Sequence, residues 1–270
     1  MLLALLLNAI LAGCSGGSGA TEKVIVTGST TLMPIAEVAA EMYHEEHPET
    51  EVLVSGGGSS TGIESVSNGS SDIGASSREL KDEELSLGLV DTPVAFDAIA
   101  VIVHPDNPVR ALTTTQVRSI YSGVITNWSE LGGPDLEIGL VNRDEASGTR
   151  EAFKKIVMDD AAFDIGAVIL PGTGQVRAVV SDVPGAIGYI SLGFVNDDVR
   201  AVAIDAVEPS EEAVVAGTYP IQRTLHFFTL GEPQGAAAQY VKYVLSPAVQ
   251  DVIVRDAGFI PIIAKEESGG

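Results

Sequence analysis

Apolar and polar residues along this 270-residue chain follow two alternating patterns. Short, mostly apolar runs are typical of buried strands, and stretches with apolar residues every three or four positions are typical of helices. The runs predict strands at 24–26, 52–54, 72–75, 98–103, 137–141, 186–190 and 224–229. The periodic stretches predict helices at 33–47, 61–66, 114–121, 148–158, 175–181, 233–244 and 247–256. Strands that alternate with helices favour an α/β fold with mostly parallel sheets.

The first long helix has clear boundaries and one apolar face. Pro34 fits the first turn, where proline is tolerated, and Pro48 ends the helix. The predicted buried face consists of Ile35, Val38, Ala39, Met42 and Tyr43. We expect this face to pack against the sheet.

Two of the predicted strands, 98–103 and 224–229, bracket the second α/β region. We therefore predict a two-lobed fold in which lobe I consists of residues 21–99 plus 225–264 and lobe II of residues 100–224. Each lobe is a mostly parallel sheet flanked by helices, and two crossing hinge strands join the lobes. Ligands favour the cleft between such lobes. Residues 265–270 are predicted to form a tail.

The N-terminus resembles a secretion signal that ends at a lipidation site. Residues 1–12 are mostly apolar but too few to span a membrane, and they lead into Gly13-Cys14. This ending resembles the lipobox of secreted lipoproteins, in which the cysteine is lipidated. The Gly/Ser-rich segment that follows, up to residue 20, is typical of a flexible tether. We expect an extracellular protein anchored to the cell membrane at Cys14. The alternative is a buried thiol in an unrelated leader.

The composition adds a strongly acidic surface. With 15 Lys+Arg against 37 Asp+Glu, the formal net charge is −22. Such a charge repels nucleic acid, so a nucleic-acid partner is excluded. It indicates a halophilic source, because high salt screens the repulsion; an ordinary acidic protein is the alternative. Any anion site in this chain must depend on local donors.

Three turns combine glycine with Ser or Thr at the predicted start of a helix. They lie at 28–31, 58–61 and 147–149. The first N–H groups of a helix have no internal acceptor and carry about half a positive charge. Three such ends that converge would hold an oxyanion, with hydroxyl groups as further donors. Taken singly, each turn could simply be a helix cap.

Two arginines near these turns are candidate anion contacts, and other kinds of functional site find little support in the sequence. Arg143 could contact an oxyanion through its guanidinium fork, or could only pair with Asp144 and Glu145. Arg78 has the same two interpretations. The spacings of phosphate-binding loops, dinucleotide-binding loops and nucleophile elbows are absent from these turns. Of the four histidines, His44 and His47 are better explained by an exposed helix face than by a metal site, so no metal is predicted.

Taken together, the motifs resemble one family along nearly the whole chain after residue 20. They are Gly28-Ser29-Thr30-Thr31-Leu32-Met33-Pro34-Ile35-Ala36, Gly56-Gly57-Gly58-Ser59-Ser60-Thr61-Gly62, Asp72-Ile73-Gly74-Ala75-Ser76-Ser77-Arg78, Ile125-Thr126-Asn127-Trp128, the segment 143–150, Pro184-Gly185-Ala186-Ile187-Gly188-Tyr189 and Leu245-Ser246-Pro247. Their order and spacing resemble the substrate-binding proteins of phosphate ABC transporters, which have a type II periplasmic-binding-protein fold.

The resemblance implies a monomeric, non-enzymatic protein without a cofactor. It would capture inorganic phosphate and deliver it to the permease and ATPase subunits of a transporter. The implied ligand shell is Thr30, Thr31, Ser59, Ser77, Arg143, Ser147, Gly148 and Thr149. Arg78 and Glu145 would support it, with Glu145 steadying the arginine.

The chain departs from the best-known members at Ser77, where they carry an aspartate. That carboxylate accepts a proton from phosphate and repels sulfate, and a serine repels sulfate less. Binding of sulfate, molybdate or tungstate therefore stays open. A secreted phosphatase-like hydrolase and an anion sensor without a permease are the alternatives from other functional classes.

Overall fold

The computed structural model describes residues 21–159 and 161–262. The predicted signal segment and tether (1–20), the lipidation site Cys14, residues 263–264 of lobe I and the tail 265–270 lie outside the described residues. Within the described part, no helix is long and apolar enough to cross a membrane.

The described chain is an alternation of strands and helices. The strands are β1 (Glu22–Gly28), β2 (Thr50–Ser55), β3 (Ile73–Ser76), β4 (Leu89–Val103), β5 (Ala111–Leu112), β6 (Gly139–Arg143), β7 (Val168–Leu170), β8 (Ala186–Ser191), β9 (Arg200–Ala201), β10 (Ala203–Ile204), β11 (Gln222–Leu230) and β12 (Ile260–Pro261). The α-helices are α1 (Met33–Glu46), α2 (Ser59–Ser67), α3 (Thr114–Tyr121), α4 (Gly148–Phe153), α5 (Thr173–Asp182), α6 (Glu211–Val215), α7 (Gly235–Val244) and α8 (Pro247–Val249). π-helical turns extend α4 over Lys154–Met158 and α8 over Gln250–Val254.

One continuous sheet runs through both lobes in the order β2-β1-β3-β11-β4-β8-β6-β7. At the lobe I end, β1 is parallel to both β2 and β3. At the lobe II end, β6 is parallel to both β7 and β8. The strands between these ends, β11 and β4, pair antiparallel with their neighbours. The expected two-lobed α/β fold is therefore confirmed, with parallel pairing confined to the outer strands of each lobe.

Strand β4 passes from one lobe to the other without a break. Its first part, from Leu89 to Ala98, pairs with β11, and its last part, from Ile99 to Val103, pairs with β8. The apolar run predicted at 98–103 is thus only the second half of a longer strand. β11 begins at Gln222, opposite Ala98, and supplies the second link. The lobe boundaries at 99/100 and 224/225 stay a prediction, since residues on both sides belong to these continuous strands.

Each lobe has its own apolar core. In lobe I, α1 and α7 cover the sheet, and Tyr43 packs edge-on against Tyr240 with ring centroids 5.7 Å apart. In lobe II, Phe153 of α4 stacks on Tyr189 of β8 with centroids 4.0 Å apart. That stacking fixes the end of α4, so the turn that precedes the helix has a rigid base.

The buried face of α1 matches the predicted one in part, since Ile35, Ala39 and Tyr43 are buried. Val38 and Met42 are 45% and 36% exposed, whereas Ala36 and Ala40 are buried. The buried face thus contains two further alanines beside Ile35 and Tyr43, and Val38 and Met42 lie at its exposed margin. The apolar periodicity could not distinguish these two faces.

Candidate anion-binding site between the two lobes

A small, tight cavity lies between the lobes, at the carboxyl ends of β1, β3 and β6. It is lined by Ser29, Thr30, Thr31, Gly58, Ser59, Ser77, Arg143, Ser147, Gly148 and Thr149. All eight residues of the ligand shell implied by the family resemblance are in this lining. The first two turns and Ser77 meet because β1, β2 and β3 are parallel and their carboxyl ends lie at the same edge of the sheet. β6 runs in the opposite direction in lobe II, so the third turn reaches them from across the cleft.

The first turn joins β1 to α1. Gly28 has a φ of +140°, and a Cβ there would lie 2.2 Å from the carbonyl oxygen of Ala75. The next residue, Ser29, donates its N–H to that same carbonyl at 2.8 Å. The Ser29 hydroxyl accepts the N–H of Thr31 at 3.2 Å. Glycine therefore allows the turn to lie directly on β3. The expected hydroxyl cap of α1 is wrong, since the helix begins after Leu32 without a side-chain cap.

The second turn joins β2 to α2, and its hydroxyl group also does not cap the helix. Gly58 precedes the helix with a φ of +94° and no side-chain cap. The Ser59 hydroxyl instead accepts the N–H of Ser77 at 2.9 Å, and its oxygen lies 3.2 Å from the Ser77 hydroxyl oxygen. These bonds join the second turn to the end of β3. A Cβ on Gly58 would lie 2.5 Å from the carbonyl oxygen of Ala146 in lobe II, so the lobes touch here.

The third turn opens α4, and its cap is the one the sequence predicts. Ser147 is the N-cap, and its hydroxyl accepts the N–H of Arg150 at 3.2 Å. Gly148 and Thr149 are the first residues of the helix. Their N–H groups have no acceptor within the helix and can therefore donate to a ligand. A Cβ on Gly148 would lie 2.2 Å from the Ser59 hydroxyl oxygen, which again shows how closely the lobes meet.

Arg143 ends β6 and its side chain is almost completely buried. Its Nη1 donates to the Thr173 hydroxyl at 3.1 Å and its Nη2 to the Thr30 hydroxyl, across the cleft, at 3.3 Å. The carbonyl oxygens of Leu170 and Pro171 accept further bonds at 3.2 and 2.8 Å. Burial lowers the pKa of the guanidinium, but arginine stays charged at any ordinary pH.

The role implied for Glu145 is not what the structure shows. Glu145 is exposed, and within the described residues no hydrogen bond or ion pair joins it to Arg143. The carbonyls of the loop after β7 hold the guanidinium in its place. Neighbouring Asp144 contributes only through its charge, which opposes the lowering of the Arg143 pKa.

Arg78 does not face the cavity, although it follows Ser77 directly. Its Nη1 and Nη2 bind both carboxylate oxygens of Glu84, at 2.6 and 2.8 Å. Nη2 also donates to the Ser60 hydroxyl at 3.2 Å. Arg78 therefore braces the start of α2 from behind, and the interpretation of Arg78 as an anion contact is wrong.

Sequence reasoning missed three residues next to the cavity. Arg223 of β11 forms a buried ion pair with Asp97 of β4, with Nη2 and Oδ2 2.7 Å apart. Arg223 Nη1 also donates to the Thr149 hydroxyl at 3.0 Å. Thr173, the first residue of α5, accepts from Arg143. The sequence did contain a signal for two of them: Asp97 directly precedes the predicted strand 98–103, and Arg223 directly precedes 224–229. A charge that is buried beside such a strand is costly unless it is paired.

Hydroxyl groups around the cavity share one hydrogen-bonding arrangement. Six of them accept a hydrogen bond from an N–H group, and they belong to Ser29, Thr30, Ser59, Ser147, Thr149 and Thr173. A hydroxyl that accepts one such bond has its own hydrogen left to donate. The cavity is therefore rich in donors.

The charge of the site is positive and local. Among the described residues, the cavity lining contains no carboxylate. Arg223 is neutralised by Asp97, so Arg143 supplies a net charge of one at the cavity. The described residues also contain no group of His, Cys, Asp and Glu suited to a metal ion. Donors and a guanidinium without an opposing carboxylate suit a tetrahedral oxyanion.

Comparisons with known proteins agree with this geometry. A family profile described as PBP superfamily domain matches residues 15–248. The phosphate-binding protein PstS of Bacillus subtilis is 38% identical over 250 residues, covering 92% of this chain and 83% of that protein. The phosphate-binding protein PstS of Pseudomonas aeruginosa is 32% identical over 277 residues, covering 92% of this chain and 85% of that protein.

Solved structures give the same result. The crystal structure of a Clostridium perfringens protein, described as a phosphate ABC transporter substrate-binding protein with bound phosphate, superposes with a TM-score of 0.86. It is 37% identical, and the match covers 90% of this chain and all of that one. An ABC-type phosphate transport receptor from Vibrio cholerae gives a TM-score of 0.75 at 30% identity, over 88% of this chain and 99% of that one. The chain thus belongs to the PBP superfamily and, within it, to the family of phosphate ABC transporter substrate-binding proteins.

Proposed function

We propose that this protein captures inorganic phosphate between its two lobes and delivers it to an ABC permease. One observation carries the proposal: three turns rich in N–H and hydroxyl donors meet Arg143 in one small cavity whose described lining holds no carboxylate. Relatives over nearly the whole chain are named phosphate-binding proteins. The phosphate ligands are proposed to be the eight lining residues named from the resemblance, with Ser29 and Gly58 beside them.

Binding is coupled to closure because the donors are divided between the lobes. Thr30, Thr31 and Ser59 belong to lobe I, and Gly148 and Thr149 belong to lobe II. A ligand that is bound by a single lobe contacts only part of this set of donors. Phosphate therefore stabilises the closed arrangement by its differential affinity for it. A permease that recognises the closed form would receive loaded protein.

We also propose that the protein does not hydrolyse phosphate esters. Its hydroxyl groups accept N–H bonds, whereas a nucleophilic serine needs a base within reach to take its proton. The family is one of solute-binding proteins. Incubation of the pure protein with a chromogenic phosphate ester should release no product, and release that Ser147→Ala abolishes would support a hydrolase instead.

Isothermal titration with phosphate in high salt tests the proposed function. We expect saturable one-to-one binding, weakened by Arg143→Ala. Gly174→Ala is the control for a substitution in lobe II that should not affect binding, since a Cβ there meets no described atom within 4 Å. Absence of binding to phosphate, together with clear binding of molybdate or tungstate, would overturn the choice of ligand.

Sulfate is a second candidate ligand, favoured by one observation. Ser77 stands at the end of β3 with its oxygen near Ser59, so no carboxylate there repels a fully ionised oxyanion. A donor-rich cavity also matches an anion that has no proton to give. Titration with sulfate at constant ionic strength, and competition with phosphate, measures this selectivity.

The remaining expectations from the sequence concern the environment of the protein. We propose that it is a monomer on the extracellular face of the cell membrane, held by a lipid on Cys14, and that it is adapted to high salt. Cys14→Ser should release the protein into the medium, and mass spectrometry of the membrane-bound form should find an acylated Cys14. Retention of the Cys14→Ser variant on the membrane would refute the anchor.

A further inference from the structure

Two charged residues face each other where the sheet crosses from lobe I to lobe II. Arg223 of β11 and Asp97 of β4 are directly opposite in the antiparallel register. The next residue of β4 still pairs with β11, and the one after it, Ile99, pairs with Ser191 of β8 in lobe II. The ion pair therefore lies at the start of β11, next to the point where β4 exchanges β11 for β8 of lobe II.

Both members of the pair are removed from solvent. The side chains of Arg223 and Asp97 are 4% and 0% exposed. Nε and Nη2 of the arginine bind Asp97 Oδ2 at 2.9 and 2.7 Å. The other carboxylate oxygen accepts from the Ser191 hydroxyl at 2.7 Å and from the N–H of Leu192 at 3.3 Å. Asp97 is thus bonded to β8 of lobe II as well as to β11.

The remaining nitrogen of Arg223 reaches both sides of the anion cavity. Nη1 donates to the carbonyl oxygen of Ser77 at 3.1 Å and to the Thr149 hydroxyl at 3.0 Å. Ser77 directly follows β3 in lobe I, and Thr149 is in the first turn of α4 in lobe II. One guanidinium therefore spans the cleft directly behind the cavity.

The same bond sets the direction of a donor. Because the Thr149 oxygen accepts from Arg223, its hydrogen is free for the cavity or for Thr31, whose hydroxyl oxygen lies 3.2 Å away. Without Arg223, the Thr149 hydroxyl could rotate and point its oxygen at an anion, which is repulsive.

A buried ion pair is a weak contributor to stability, since desolvation offsets the attraction between the charges. Burial disfavours the charged forms of both groups, raising the pKa of Asp97 and lowering that of Arg223, and the charge of each partner opposes this. An apolar pair would hold two hinge strands together at least as well. The pair is better explained by what Arg223 contacts than by strand pairing.

We propose that Arg223, held by Asp97, is a positioning residue that latches the two lobes in the closed arrangement and orients the Thr149 hydroxyl toward the ligand. It does not line the cavity itself, so it acts on phosphate through Ser77 and Thr149. The proposal rests on the proposed function as a phosphate binder. Loss of the Arg223 contacts is expected to speed the release of phosphate, since these contacts stabilise the closed arrangement and are lost when the lobes open.

The test compares three variants in stopped-flow binding of phosphate and in small-angle scattering with and without phosphate. Arg223→Gln with Asp97→Asn removes both charges together, so neither is left buried alone. Arg223→Lys keeps a charged donor opposite Asp97. Tyr219→Phe is the structural control, because Tyr219 is equally buried and its hydroxyl bonds the hinge strand at the Ile99 carbonyl, 3.0 Å away.

For the double variant we expect phosphate release about tenfold faster, with association changed less than about threefold, the usual pattern when closure contacts are lost. Its phosphate-induced compaction should shrink. Arg223→Lys should restore part of the slow release. Tyr219→Phe should lower the melting temperature but leave the release rate unchanged.

Two results would overturn the proposal that Arg223 holds the lobes in the closed arrangement. One is a double variant that melts at a lower temperature but releases phosphate at the wild-type rate and compacts normally, which is the behaviour of a merely structural pair. The other is equal acceleration by Tyr219→Phe. A wild-type protein that does not bind phosphate at all refutes the proposed function, and that result is distinct from both.

Discussion

Gly148 provides the most direct test of closure around the ligand. It is the first residue of α4 in lobe II. A Cβ at this position would lie 2.2 Å from the hydroxyl oxygen and 2.8 Å from the Cβ of Ser59 in lobe I. The Ser59 hydroxyl can rotate, but its Cβ is fixed to the backbone of α2. Since carbon atoms in ordinary contact are about 3.5–4.0 Å apart, Gly148→Ala forces the lobes apart by roughly 1 Å.

The cost follows from the hydrogen bonds that cross the cleft near this position. They are Arg143–Thr30 at 3.3 Å, Thr31–Thr149 at 3.2 Å and Ser60–Ala146 at 3.1 Å. Each such bond contributes about 0.5–1.5 kcal/mol, so losing all three weakens the closed state by about 1.5–4.5 kcal/mol. Phosphate affinity should therefore fall by about tenfold to a thousandfold.

The assay is titration of Gly148→Ala and Gly174→Ala with phosphate, alongside thermal melting. Gly174 is also in the first turn of a lobe II helix, but a Cβ there meets no described atom within 4 Å. We expect the lobes to separate without phosphate, so the melting temperature of unliganded Gly148→Ala should not fall. Wild-type affinity in Gly148→Ala would show that the closed contact does not limit binding. An equal loss in Gly174→Ala would assign the effect to the helix instead.

Three further predictions concern the charged groups. Arg143→Ala should weaken phosphate binding by about 1.5–3 kcal/mol, the usual contribution of a hydrogen bond to a charged group, and unchanged affinity would remove Arg143 from the site. Glu145→Gln should leave the phosphate affinity unchanged, because Glu145 is exposed and makes no described contact with Arg143; a tenfold loss would restore its implied role. Lys155→Met breaks the exposed ion pair between Lys155 Nζ and Glu79 Oε2, 3.3 Å apart across the lobes. Its effect on affinity should be less than about 1 kcal/mol and should vanish in high salt, and an effect that persists at high salt would contradict simple charge pairing.

The sequence could predict the parts of the site that depend on local chemistry. Glycine beside Ser or Thr at the start of a helix marks a turn that a ligand can approach, and all three turns do line the cavity. The strand pattern explains only part of their convergence: β1, β2 and β3 are parallel and end at one edge, whereas β6 runs in the opposite direction and its turn meets the others across the cleft. What local pattern could not show is how each hydroxyl is used. Of these three turns, the third has a hydroxyl cap, from Ser147, whereas the Ser29 hydroxyl accepts the N–H of Thr31 within its own turn and the Ser59 hydroxyl accepts the N–H of Ser77.

The contacts that sequence reasoning missed depend on residues far apart in the chain. Arg223 and Asp97 are 126 positions apart and meet only through the register of two antiparallel strands. Arg143 is held by the loop after β7, a strand within the apolar run 167–170 that the predicted elements omit. An adjacent acidic residue such as Glu145 was the natural partner to expect, but its position in the turn directs it to solvent.

The unbroken strand between the lobes has a consequence for transport. A flexible linker would let the lobes drift in many relative orientations. A 15-residue strand that is paired with β11 over its first part and with β8 over its last part bends mainly about one axis. The separation of the outer lobe surfaces then reports a single angle. A permease that contacts one point on each lobe therefore recognises the distance between these two points. It can distinguish a loaded protein from an unloaded one without contacting the phosphate.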